Sequence, residues 1–300
     1  MSVYPVVLSQ TKLIHRDSVK YPMEERALQF GDGVYEVIRV YHGNYYLLTE
    51  HVDRLYRSAE AIKIDIPFSK DTLTNLLNEL LERNNINDDA KVYLQISRGS
   101  APRDHAFPTD VSPNFYAYVQ KMPRNMKNLE NGVAVITHED DRWQNCYIKS
   151  LNLLPNVIAK QAAHEKGCYE AILHKGGLVT ECSAANVYLV KDGKIYTHPT
   201  TRNILYGCVR LRIEAFTKNL GIPLVEEAFT LKDIETADEL FLSSSTSEVL
   251  PIIAVDAIQI ANGKPQKITK QLQQAYEEDA KININPGNTQ DVKNTFENSY

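Results

Sequence analysis

The sequence predicts a mixed α/β chain in two domains, a smaller N-terminal α/β unit and a larger, β-rich C-terminal unit with flanking helices. Three observations carry this. Alternating apolar runs bounded by turn residues mark strands in both halves of the chain, and leucine-rich stripes at helical spacing lie between them. The polar stretch Met122-Pro123-Arg124-Asn125 then separates two differently organised regions. The expected divisions are 1–121 for the first domain, 122–128 for an interdomain linker and 129–284 for the second domain. Residues 285–300, polar, Asn-rich and aperiodic, read as a disordered tail.

Taken in order, a short N-terminal strand pair comes first. Val34 to Leu48 then alternates and turns at His42-Gly43-Asn44, the pattern of a β-hairpin, with Tyr35, Val37, Arg39 and Tyr41 on one face. Thr49 offers a cap for the helix that follows, whose apolar stripe is Val52, Leu55, Tyr56, Ala59 and Ile62. Arg54 lies off that stripe beside His51 and Ser58. A second helix opens at Ser69 and presents Leu73, Leu76, Leu77, Leu80 and Leu81. Strands near Lys91 to Ser97 and Phe115 to Gln120 close the first unit, with Arg103-Asp104-His105 in the proline-containing loop between them.

Beyond the linker, strands are expected at Val133 to Ile136, Glu170 to Leu173, Leu178 to Glu181, Asn186 to Val190 and Lys194 to Thr197. Lys175-Gly176-Gly177 and Lys191-Asp192-Gly193 supply turns. A helix spans about Pro155 to Lys166, another runs from Gly207 to about Asn219, and a last one carries Ile268, Leu272 and Tyr276. Between the last two, Glu239 to Leu242 reads as a strand running into Ser243-Ser244-Ser245-Thr246-Ser247.

Composition excludes several functions. A formal charge of −5 without long Lys/Arg runs argues against a nucleic-acid or anionic-membrane partner. Apolar runs fall far short of the roughly 20 residues that cross a bilayer. Four scattered cysteines, without a C-x-x-C pair and read as outside ligand spacing of any histidine, fit a cytoplasmic chain with reduced thiols and no metal site. No G-x-S-x-G elbow, Walker loop or dinucleotide fingerprint is present, so hydrolase, NTPase and NAD readings lack their defining element.

Several residues could carry chemistry. Lys149 sits in a largely apolar run, Cys146 to Leu154, where burial disfavours an ammonium and favours a nucleophilic amine; in isolation, a lysine with a packed stem and solvated head is the commoner case. Glu181 ends a strand. The helix start after Gly207 and the Ser243 to Ser247 run are each weak anion-site signals, and Arg103 with His105 offers two cations suited to a carboxylate.

The order in which these residues occur is more specific than any one of them. Gln29-Phe30-Gly31-Asp32-Gly33-Val34-Tyr35-Glu36 leads to Glu50-His51-Val52-Asp53-Arg54-Leu55, Arg103-x-His105 and Ile148-Lys149-Ser150-Leu151-Asn152. Thr180-Glu181-x-Ser183-x-x-Asn186-Val187 and Ser245-Thr246-Ser247-Glu248 complete the set. Over about Ser2 to Lys281 this resembles the class IV (fold type IV) aminotransferases, which depend on pyridoxal phosphate, and within them the D-amino-acid branch.

The resemblance implies a two-domain fold type IV enzyme in which Lys149 carries the cofactor as a Schiff base and moves the proton at Cα. It further implies that Glu181 keeps the pyridine nitrogen protonated and Leu205 packs on the ring. Arg54, the amides of Cys208 and Val209, and Ser244, Ser245 and Thr246 would hold the phosphate. Tyr35, Arg103 and His105 would hold the substrate α-carboxylate, and since the Arg-x-His loop reaches in from the partner subunit in that family, a homodimer is implied. The implied reaction converts D-alanine and 2-oxoglutarate to pyruvate and D-glutamate. A branched-chain L-aminotransferase, an aminodeoxychorismate lyase and a cofactor-free interaction protein are the alternatives. Val209, where relatives often place threonine, and Ala184 and Ala185, where related motifs have serines, are departures that predict a thinner hydrogen-bond network around the cofactor.

Overall fold

The computed structural model describes residues 3–282, so the expected tail lies outside the described residues. The first half contains strands β1 (Val3–Ser9), β2 (Lys12–His15), β3 (Gly33–Tyr41), β4 (Asn44–Tyr45), β5 (Ala90–Ser97) and β6 (Asn114–Lys121). Its helices are α1 (Arg26–Phe30), α2 (Leu48–Ala61) and α3 (Lys70–Arg83). These strands form one antiparallel sheet in the order β2-β1-β6-β5-β3-β4. Helices α2 and α3 cover one face, where Leu55, Leu73, Leu77 and Leu80 bury completely against Val34, Ile38, Val92 and Leu94.

The second half contains α4 (Met126–Asn131), β7 (Val133–Glu139), α5 (Leu154–Glu165), β8 (Glu170–Lys175), β9 (Leu178–Cys182), β10 (Asn186–Lys191) and β11 (Lys194–Thr197). It continues with α6 (Cys208–Leu220), β12 (Leu224–Glu226), α7 (Leu231–Glu235), β13 (Glu239–Ser244), β14 (Glu248–Val255), β15 (Ile258–Gln259) and α8 (Lys267–Asp279). Its sheet runs β12-β11-β10-β13-β14-β7-β8-β9, with β15 on β14. Apolar cores lie on both faces, one including Val135, Ile172, Leu242 and Leu250, the other formed under α6 and α8.

The structure departs from the sequence reading in several places, among them the short elements α1, α7, β12 and β15, which it does not anticipate. Helix α2 begins at Leu48, so Thr49 lies within its first turn; Leu47, in left-handed backbone (φ 59°), takes the cap position without a side-chain bond. The later residues of the expected linker are helical, because Asn125 caps the amide of Asn128 and starts α4. Strand β14 has no counterpart in the sequence reading. Pro251 argues against a central strand, but β7 pairs with β14 only from Ile252 onward, and the sheet accommodates the proline there.

Candidate active site

A cavity opens between the two sheets. Tyr35, Arg54, Lys149, Glu181, Leu205, Cys208, Val209, Ser244, Ser245 and Thr246 all line it, contributed by seven separate segments of the chain. Ten of the twelve site residues expected from the sequence therefore converge.

Lys149 is placed by backbone pairing. Its segment lies along β3, where Tyr35 N–H donates to Lys149 O (3.0 Å) and Leu151 N–H donates to Gly33 O (3.0 Å). Lys149 N–H donates to Ser58 Oγ on α2 (3.2 Å). The register sets Lys149 Nζ 4.4 Å from the centre of the Tyr35 ring, and Tyr35 is itself stacked on Tyr93 at 5.8 Å. An amine and a phenol thus share one wall of the cavity.

Glu181, near the end of β9, is buried among donors. Asn186 Nδ2 donates to Oε2 (3.0 Å), Leu205 N–H reaches both oxygens (3.1 and 3.2 Å), and Arg142 Nη1 donates to Oε1 (2.5 Å). Burial pushes its pKa up, and the adjacent Arg142 charge offsets only part of that. Arg142 is in turn gripped by Asp140 through two bonds of 2.9 Å, and Thr180 Oγ1 donates to Asp140 (2.7 Å). Burial alone would raise Asp140; its bonds to Arg142 and Thr180 hold it below its ordinary value.

The opposite end of the cavity is an anion cradle. Helix α6 starts at Cys208 with no side chain capping its first amides, and those amides carry the positive end of the helix dipole. A Cβ on Gly207 would collide with Asn186 Oδ1, so the backbone approaches there as only glycine permits. Across from it, the β13–β14 hairpin presents Ser244, Ser245 and Thr246.

Arg54 joins the cradle from α2. Its Nε and Nη2 each donate to Glu36 at 2.7 Å, and Nη1 donates to Tyr206 O at 3.1 Å. A guanidinium has five N–H groups; Nη2 also lies 3.5 Å from His51 Nδ1, so one N–H, on Nη1, remains for an anion. His51 bridges Glu36 (Nδ1, 2.7 Å) and Ser245 Oγ (Nε2, 3.1 Å). Burial would raise Glu36, but the charge and bonds of Arg54, with those of His51, hold it well below the usual carboxylate range. His51 is shifted upward: burial opposes its charge, and the adjoining Cys208 and Glu36 outweigh that.

Arg103 and His105 stand apart. Both are exposed, flank the ring of Phe30 (5.0 and 5.6 Å) and do not line the cavity of their own chain. The sequence reading missed Asp140 and Arg142, because Glu139-Asp140-Asp141-Arg142 reads as a solvated charged turn. Glu36 carried a usable signal, since it alternates with Val34 and Ile38 in the buried phase of β3.

The chain is similar to known aminotransferases along most of its length. The chain is 46% identical to a D-alanine aminotransferase of Listeria innocua over 276 residues, covering 91% of this chain and 95% of that one. It is 43% identical to the D-alanine aminotransferase of Bacillus licheniformis, covering 90% and 95%. Among solved structures, the Escherichia coli branched-chain amino acid aminotransferase superposes with a TM-score of 0.86 at 25% identity, covering 92% of this chain and 94% of that one. The sequence model of the amino-transferase class IV family matches residues 33–255. With the match spanning every cavity segment from β3 to the β13–β14 hairpin, the chain belongs to the class IV aminotransferases, the pyridoxal-phosphate enzymes that the order of its motifs resembles.

Proposed function

We propose that this chain transfers the amino group of D-alanine to 2-oxoglutarate, giving pyruvate and D-glutamate. The observation that carries the reading is the meeting in one cavity of the Lys149 amine, the buried Glu181 carboxylate and the anion cradle at the start of α6. The curated relatives, named D-alanine aminotransferases at 43–46% identity, supply the substrate class.

The donor set suits pyridoxal phosphate. Uncapped α6 amides, three hydroxyls and the remaining Nη1 N–H of Arg54 match a phosphate dianion, and Glu181 is the carboxylate that would face a pyridinium. When bound, the cofactor supplies an electron sink for the carbanion left at the substrate Cα. Lys149 binds the cofactor and moves the Cα proton as base and then acid. Glu181 would hold a proton on the ring nitrogen, with Arg142 opposing the rise that burial imposes on the Glu181 pKa, and Leu205 would lie against the ring while its amide fixes the Glu181 carboxylate. Cys208 and Val209 bind phosphate through backbone amides, which need no hydroxyl at position 209.

Tyr35 contributes one donor for the substrate α-carboxylate. Arg103 and His105 supply the rest from a second copy of the chain, so the working unit is a homodimer. The exposure of both residues supports this, as does the apolar face of α5 (Leu154, Val157 and Ile158, all more than half exposed) next to the cavity-lining Leu153 and Asn156. Four free thiols suit a cytoplasmic setting.

The test is a panel of D- and L-amino acids with 2-oxoglutarate, scored for keto-acid product and for the chirality of the glutamate formed. D-alanine should lead and L-alanine give slight turnover. Equal or better turnover of L-leucine would instead favour the branched-chain reading, and pyruvate release without amino transfer the lyase.

A further inference from the structure

The cradle hairpin is tied to a residue in an unfavourable backbone conformation. Glu248, at the start of β14 and paired with Ser244 across the hairpin, has φ +59°. A glycine would occupy this left-handed region without a Cβ penalty, so a glutamate there points to a requirement for its side chain.

That side chain turns into the protein, where it is 5% exposed. Arg124, from the segment joining the two sheets, grips it through Nε to Oε1 (2.8 Å) and Nη2 to Oε2 (2.6 Å), and Nη2 also donates to Glu277 on α8 (2.6 Å). Tyr41 at the end of β3 donates to Glu248 Oε1 (3.0 Å) and lies 2.9 Å from the Tyr276 hydroxyl. The segment is anchored from its other side by the buried Arg39, whose Nη1 donates to Met122 O (2.5 Å). One carboxylate therefore connects the first sheet, the connecting segment and the hairpin whose loop carries Ser245, Thr246 and Ser247. Within that loop Ser247 N–H donates to Ser244 Oγ (3.0 Å), so the backbone at 247–248 and the hydroxyl at 244 are set together.

We propose that Glu248 is a positioning residue for the cofactor phosphate. Arg124 and Tyr41 hold its carboxylate, the held carboxylate keeps residue 248 left-handed, and that conformation fixes the hydroxyls of 244–246 before the phosphate arrives. Cofactor affinity is thereby coupled to the segment between the sheets. The inference rests on the hairpin being the phosphate site.

Apoenzyme of each variant is titrated with pyridoxal phosphate and, separately, with pyridoxal, which lacks the phosphate, and binding is followed by absorbance. Arg124→Ala and Glu248→Gly should weaken pyridoxal phosphate at least about five-fold through lost preorganisation while leaving pyridoxal within about two-fold. Arg124→Lys should recover part of the loss. Tyr41→Phe, which removes one hydroxyl, should move affinity the same way by a smaller factor and serves if the other variants fold poorly. Equal weakening of both ligands, the result of a merely structural role, overturns the proposal, as does no weakening of either. Ser245→Ala separates the two layers of the argument. If it lowers phosphate-dependent affinity and the Arg124 and Glu248 variants do not, the positioning role alone fails; if it has no effect, the cradle assignment fails with it.

Discussion

Glu36 and Arg54 meet fork to fork inside the protein, joined by two hydrogen bonds of 2.7 Å, with Glu36 wholly buried and Arg54 7% exposed. The pair fastens α2 to β3 at the floor of the cavity. Removing one member of a buried pair leaves the other charge unmatched, at a cost of about 3–5 kcal/mol. Glu36→Gln should lower unfolding stability of the apoenzyme by about that much in urea titration, and weaken phosphate-dependent cofactor binding because Arg54 is no longer aimed.

The same group fixes the acid limb of stability. Glu36 has a lower pKa folded than unfolded, so between the two values the unfolded chain binds more protons and stability falls as pH falls. Its contribution is complete above the ordinary carboxylate range of about 4.3 and is lost as pH drops through the depressed value. His51 has the opposite sign: its pKa is raised, so its contribution is present below about 6.5 and disappears as pH rises through the folded value. Thermal melts across pH should show the gap between wild type and Glu36→Gln closing at the acid end. A His51→Gln gap should close at the alkaline end.

Arg142 should matter to turnover more than to cofactor retention. It is the cation that opposes the rise burial imposes on the Glu181 pKa, and it touches none of the cradle. Arg142→Met should raise the Glu181 pKa further and lower kcat by about tenfold or more, the scale of one misplaced acid–base partner. Pyridoxal phosphate should still bind. Steady-state rates alongside a cofactor titration decide this, and equal loss in both would contradict the assignment.

The subunit origin of Arg103 and His105 can be read from mixed dimers. Lys149→Ala and Arg103→Ala homodimers should each be nearly inactive. Dissociated and reassociated together, they should recover up to about a quarter of wild-type activity, because half the dimers are mixed and each mixed dimer contains one site with both residues intact. Sites assembled within one chain would recover nothing.

The sequence by itself determined many of the local elements and ten of the residues that line the cavity. Ser69 does cap its helix, the hairpin does turn at His42-Gly43, and α6 does begin just after Gly207, because capping, turn chemistry and apolar period are properties of neighbours along the chain. Motif order named Lys149, Glu181 and Arg54 together, although Lys149 and Glu181 read alone each have a commoner structural explanation.

Tertiary structure decided what those residues touch. Asp140-x-Arg142 looks like solvated charge until β7 and β9 pair through β8 and bring it against Glu181. Glu248 looks like the end of a serine run until Arg124, 124 residues earlier, closes on it. Arg103 and His105 look like site residues and lie outside their own cavity. A charge's role depends on its partner and its exposure, and both are set by contacts between distant segments, which no local pattern encodes.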